Sequence, residues 1–365
     1  NSIGVLLMRD DRDSAAEQAF RDAVPLWRSL SNHYLNLPEY QEELVRSCQN
    51  LAALLRESRE SADWHRLARD TLRRLIQQYP DHHKYREQMA ETSDRLGTFF
   101  QAHGRLDEAR EAYADETNQW QVLVESFPDV AAYRQQLSKT HNALGILYSA
   151  LGSMADATDA YREALRVLDE MSGDQVSLPG HREAVAKISH NRGLMIGMND
   201  PSESAKLLRR SQTSFAGLCR DFPNNPTYQH ALASSHTGLG NLLVATDRSA
   251  LAMDHFQLAL ELRESLARRF SNVAPLHNSL AWLLVSCGET SMRDPARGLE
   301  HAQTAIRLSP EDPLFLNTLG VAQYRVGEFE AAIESLKKSR SLGPSMESTD
   351  MFVIAMCYQR LGSTD

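Results

Sequence analysis

Asn1, Gln49, Asp94, Asn142, His190, Thr237, Asn278 and Asn317 share one frame: each lies three residues before a small residue, and every one is polar. An amide side chain donates and accepts at once, so a ladder of amides can hold the backbone of a second chain with little regard to its side chains. One residue after the small position stand Ala53, Thr98, Ile146, Leu194, Asn241, Trp282 and Val321. Trp282, Val285, Val321 and Tyr324 would add an apolar anchor patch beside Asn278 and Asn317. The candidate partner-binding residues are therefore Asn142, His190, Thr237, Asn241, Asn278, Trp282, Asn317, Val321 and Tyr324. The same asparagines can instead bond locally to a neighbouring helix. The two in successive frames, Asn278 and Asn317, favour binding.

Covalent chemistry finds no comparable pattern. The 13 histidines include no His-Glu-x-x-His. His141, His236 and His277 each precede a small position by four residues, so their periodicity reads as packing, and His82-His83 reads as solvated. Cys48, Cys219, Cys287 and Cys357 lie far apart without a Cys-x-x-Cys, which argues against a zinc ribbon or disulfide framework and for reduced packing thiols. No nucleophile elbow, phosphate-cradling glycine loop or kinase catalytic loop is present. No catalytic site, cofactor or metal is expected, and the chain reads as a non-enzyme. Carboxylates such as those in "DEAREAYADE" at 107–116 fit a solvated helix face, and Trp27, Trp64 and Trp120 fit a core.

Charge narrows the partners. With 48 acidic and 39 basic side chains the net charge is −9, and no basic stripe is present. Nucleic acid is not expected, and an RNA-binding helical repeat is the least supported alternative. The apolar run "MFVIAMCY" at 351–358 falls well short of the ~20 residues of a membrane helix. The chain opens on Asn within the pattern and shows no signal peptide, so a cytoplasmic, excised piece of a longer protein is expected.

The elements that must position these residues follow from the small positions: Gly4, Ala52, Gly97, Gly145, Gly193, Gly240, Ala281, Gly320 and Ala355, at steps of 48, 45, 48, 48, 47, 41, 39 and 35. Such regularity means stacked supersecondary units. Twelve, sixteen and nineteen residues after Gly145 come Ala157, Tyr161 and Ala164; after Gly4 come Ala16, Phe20 and Ala23; after Gly240 come Ala252, Phe256 and Ala259. After Gly97 the third site is Glu116, and after Gly320 come Ala332, Leu336 and Ser339, with Pro344 closing the unit. Spacings of four and three share a helical face. A small residue on a first helix, and a large side chain between two small ones on a second, let two antiparallel helices approach closely. The units at Ala52 and Gly193 look weak, with Trp64 where a small residue is expected and Arg209 where an aromatic is.

The expected fold is all-α: a right-handed α-solenoid of about eight helix pairs enclosing a wide groove. The 45–48-residue period over 1–271 requires helices of about 20 residues, near 30 Å long, with shorter repeats over 272–365 continuous with them. Tyr79-Pro80, Phe127-Pro128 and Phe222-Pro223 mark unit boundaries, each with a Tyr five residues after the Pro. An incomplete last unit would leave an apolar face near Met351–Tyr358 open to end-to-end self-association.

Leu-Gly followed by Ala, aromatic, Ala and Pro resembles the tetratricopeptide repeat over nearly the whole chain, although only the last step approaches its usual period. The resemblance implies a scaffold that binds a protein or peptide in the groove; domains similar to kinesin light chains carry Asn in this region and bind peptides there. The last third, with "SLAWLL", "RDPARGLEHA", "NTLGVAQYRVGEFEAAIESL" and "FVIAMCYQRLG", resembles the terminal repeats of planctomycete-type multidomain Ser/Thr protein kinases. That implies a bacterial cytosolic protein and, as an alternative function, the sensor or substrate-recruiting arm of a kinase.

Overall fold

The structure, a computed structural model, describes residues 1–55, 58–342 and 347–362, without the side chains at 174 and 347–349. It forms two compact units, Asn1–Ser172 and Gly173–Asp365. Among the described residues there is no strand. The first unit contains the pairs α1 (Ser2–Arg9) with α2 (Asp13–His33), α3 (Pro38–Leu54) with α4 (Arg59–Gln78), α5 (His83–Ala102) with α6 (Leu106–Ser126), and α7 (Ala131–Ala150) with α8 (Met154–Asp169). The second contains α9 (Pro179–Ile196) with α10 (Pro201–Asp221), α11 (Pro226–Ala245) with α12 (Ser249–Arg269), α13 (Ala274–Ser286) with α14 (Pro295–Leu308), and α15 (Pro313–Val326) with α16 (Phe329–Leu342). A last helix, α17 (Glu347–Leu361), packs on α16 and α15. The change of period at 271/272 falls inside the second unit.

Each pair is a hairpin closed at its small position, and in four pairs an aromatic ring lies on a glycine there. A methyl placed on Gly145 would lie 2.6 Å from the Tyr161 ring, on Gly240 2.6 Å from Phe256, and on Gly4 2.7 Å from Phe20. The flanking Ala157, Ala164, Ala252 and Ala259 are fully buried, as close helix approach requires. Several hairpins turn through a glycine with positive φ, such as Gly104, Gly152 and Gly327, a conformation that a Cβ disfavours.

The two weak units are regular pairs with shorter inner turns. In α10 the small position is Ser204, whose hydroxyl donates to Gly193 O at 2.8 Å, and Leu208 rather than Arg209 lies over Gly193. In α4 it is Ser61, which donates to Ala52 O at 2.9 Å, followed by buried His65 and Ala68. A serine there is small enough to pack and finds a carbonyl for its hydroxyl, so burial leaves nothing unpaired. A fixed twelve-residue offset cannot see a turn shortened by one residue or by three. Trp64 then falls off the contact stripe and packs half-buried against the core.

The long period is housed as expected. α10 and α12 each have 21 residues and α11 has 20, whereas α14, α15 and α16 have 14 each. At the long boundaries the aromatic before Pro packs edge-on against the Tyr beyond it: Tyr79–Tyr85 at 6.3 Å, Phe127–Tyr133 at 6.1 Å and Phe222–Tyr228 at 5.9 Å. Each such tyrosine then donates its hydroxyl to a glutamate on the preceding first helix: Tyr85 to Glu42 at 2.5 Å, Tyr133 to Glu87, and Tyr228 to Glu183 at 3.1 Å. Pro344, expected to close the eighth unit, lies outside the described residues. Within Met351–Tyr358 of α17, Val353, Ile354 and Cys357 are buried, and Met351, Phe352 and the ninth small position, Ala355, are exposed. No helix long and apolar enough to cross a membrane occurs among the described residues.

Candidate peptide-binding site

The polar frame divides into members already engaged and members left open. Asn1 donates to Glu43 O at 3.0 Å and accepts from Ser47, and Gln49 donates to Thr92 on the next first helix at 3.0 Å. These follow the local reading. Asn142 is half-buried on α7. Thr237 accepts from Arg263 of α12 at 2.9 Å. Asn241 is exposed on α11. His190 is half-buried on α9, its imidazole pushed down to about 4 by burial and then by the Arg263 charge.

Asn278, Trp282 and Asn317 come together. They line a cavity of about 470 Å³ in the second unit, walled by α11, α12, α13 and α15. Asn278 is 8% exposed and Asn317 fully buried, and both carbonyl oxygens lack a partner among the described residues. Asn317 spends its amide on Asp350 of α17, at 2.6 Å. Trp282, 37% exposed, Leu314 and Phe315 supply apolar wall. Val321 and Tyr324 do not join them. Val321 is buried in the core with Ala281 and Val285, and Tyr324 is half-buried against Phe329, ring centres 5.9 Å apart.

Arg263, which sequence reading passed over, also lines this cavity. It continues the stripe Ala252, Phe256, Ala259 by one further step of four, so a cation was visible on a face that should be apolar. It is 7% exposed, its Nε has no partner, and its guanidinium makes no ion pair among the described residues. Burial pushes it down to about 10. Neighbouring His230 is held below the ordinary imidazole range by burial and then by Arg263, and its Nε2 meets Ser279 Oγ at 3.0 Å.

A larger cavity of about 680 Å³ lies in the first unit, between α3, α4 and α5. Its charged wall, Glu91, Asp94 and Arg95, is exposed, and its one buried polar atom without a partner is His65 Nδ1. The second-unit cavity gathers three such atoms, so the smaller cavity is the better built of the two.

Two of the histidines that precede a small position by four residues pair across hairpins. His236 Nδ1 faces His255 Nδ1 at 2.9 Å, and His277 Nδ1 faces His301 Nδ1 at 3.0 Å, at corresponding places in successive units. No group of three or more His, Cys, Asp or Glu positioned to hold a metal occurs among the described residues. The cysteines are free; three are buried, and burial pushes the Cys48 thiol up to about 12.

Comparison with known proteins agrees with this architecture. Tetratricopeptide-repeat family models match residues 57–82 and 291–347. No curated protein sequence matches the chain. Among solved structures, BtubC (BKLC) from P. vanneervenii is 19% identical with a TM-score of 0.50, over 68% of this chain and 90% of its own. A tetratricopeptide repeat protein from Parabacteroides merdae is 14% identical with a TM-score of 0.50, over 86% of this chain and 98% of its own. Residues 57–82 and 291–347 are thus matched as tetratricopeptide repeats, within a chain that has the helix-pair fold of tetratricopeptide-repeat proteins.

Proposed function

We propose that the chain is a non-catalytic scaffold that binds an extended segment of a protein partner across α11, α13 and α15. The observation that carries this reading is the pair of buried asparagine carbonyls, Asn278 and Asn317, without a partner among the described residues, on successive first helices beside Trp282. A buried acceptor without a donor costs about 1–3 kcal/mol. Main-chain N–H groups of a bound segment would satisfy both, and Trp282 with Leu314 would cover an apolar side chain.

Selection of displayed peptides on the immobilised chain tests this. Selected peptides should lose about 30-fold in affinity on Trp282→Ala and about fivefold on Asn278→Ala. Selected peptides indifferent to both substitutions would refute the site.

The likeness of the last third to kinase-linked terminal repeats supports a second reading, in which the scaffold is the recruiting arm of a bacterial, cytosolic Ser/Thr kinase. Sequencing the reading frame around this chain decides it: a kinase domain there supports the arm, and its absence leaves a free-standing adaptor.

A further inference from the structure

We propose that the second-unit cavity takes an acidic side chain, glutamate or aspartate, from within the bound segment and seats it on Arg263. This rests on the peptide-binding reading of the same cavity and names its ligand chemistry.

A guanidinium carries five donors and stays charged at any working pH, so burying one without a counter-ion is costly. Among the described residues Arg263 has one hydrogen bond, to the Thr237 hydroxyl at 2.9 Å. The nearest carboxylates along its own helix are committed elsewhere: Glu261 accepts from Gln257 at 3.0 Å, and Glu264 pairs with Arg297 at 2.6 Å. In a chain with 48 acidic side chains, the most buried Lys or Arg among the described residues thus has no carboxylate partner among them and stands beside a cavity. A carboxylate entering there would meet planar, charge-assisted donors in a setting shielded from water.

The surroundings select among anions. The flanking imidazoles, His190 and His230, are held neutral, and the remaining wall is uncharged, with Pro275, Trp282, Leu314 and Phe315 beside neutral hydroxyls and amides. One cation among neutral and apolar groups matches the single charge of a carboxylate and leaves the second charge of a phosphate uncompensated.

Reach selects a side chain over a chain end. Arg263 belongs to α12, while Asn278 and Asn317 stand on α13 and α15. A Glu or Asp side chain carries its carboxylate away from the backbone toward α12 and leaves main-chain N–H groups for the two asparagines. A terminal carboxylate would draw the backbone in after it and off the asparagine carbonyls.

Three libraries of short peptides test this on the full chain. Two are blocked at both ends and carry a fixed central Glu or Gln among randomised neutral residues. The third ends in a free carboxylate and has no acidic residue. The wild-type chain should retain the Glu library about tenfold better than the Gln library, and Arg263→Met should erase that preference. Arg263→Met should also melt no lower than wild type, because an apolar side chain of similar volume replaces an unpaired buried charge, so loss of preference is not loss of fold. Equal retention of the Glu and Gln libraries overturns the inference and leaves the peptide-binding reading standing. Preference for the free-ended library overturns the side-chain assignment. Retention of no library overturns both the inference and the reading beneath it.

Discussion

Tyr161 lies across Gly145 with no room for a further atom, and that contact sets the terms at the residue scale. Gly145→Val should destabilise the α7–α8 hairpin by about 2 kcal/mol, and adding Tyr161→Ala should recover part of the loss, so that the two changes are not additive in urea unfolding. Ring and glycine were legible because residue type and spacing alone define the contact. Glu116 was legible only as a departure from that spacing. It is 5% exposed and accepts from Thr140 at 2.6 Å and Trp120 at 3.2 Å, and its second oxygen has no partner. Burial pushes its carboxyl up to about 8. The folded state therefore holds a proton that the unfolded state releases near pH 4.5, and stability declines as pH rises from there through about 8. Glu116→Gln keeps the acceptor and removes the proton, so it should raise the melting temperature at pH 8 by several degrees and change it little at pH 4. A melting temperature equally affected at both pH values would contradict this. Arg263 was hidden for a related reason: sequence shows a charge on a stripe, and only packing shows that nothing answers it.

At the element scale, the lengthened helices are tied by the tyrosine–glutamate bonds. The boundary tyrosines were visible from their place after Pro. Their partners Glu42, Glu87 and Glu183 were not, because a bond between successive first helices joins residues a whole repeat apart. Tyr228→Phe should cost about 1 kcal/mol and loosen amide exchange locally in α9 and α11. The paired histidines give a second element-level property. Burial pushes His236 down to about 4 and holds His255 and His301 below the ordinary range. Neutral imidazole is favoured in the folded state while the unfolded chain takes up protons near pH 6.5, so stability present above pH 6.5 is lost as pH falls toward about 4. In a Glu116→Gln background, which removes the opposing trend, melting temperature should drop between pH 7 and pH 5, and adding His255→Phe should flatten that slope. An unchanged slope would assign the acid sensitivity to other groups. The sequence placed His236 and His277 as packing residues correctly, but it gave no view of the facing rings, which sit on the opposite helix of each hairpin.

At the scale of the whole molecule, the number of helix pairs could be counted from the small positions because each unit must contribute one close approach. The division into Asn1–Ser172 and Gly173–Asp365 could not, since the short 3-10 segment Gly173–Ser177 carries no repeat signal. Nor could the site be read as a whole. The amide frame runs along both units, yet Asn1 and Gln49 are spent on neighbours, while Asn278 and Asn317 on α13 and α15 leave two buried amide carbonyls without a partner among the described residues. Where each pair packs on its sequence neighbours, binding at one place should leave distant pairs unaffected. Amide hydrogen exchange of the chain with and without a selected peptide tests the account most directly. Protection confined to the α11, α13 and α15 segments around His230–Ser234, Pro275–Trp282 and Leu314–Thr318 is the predicted result. Protection in the first unit, or on the outer helices α14 and α16 alone, would contradict it.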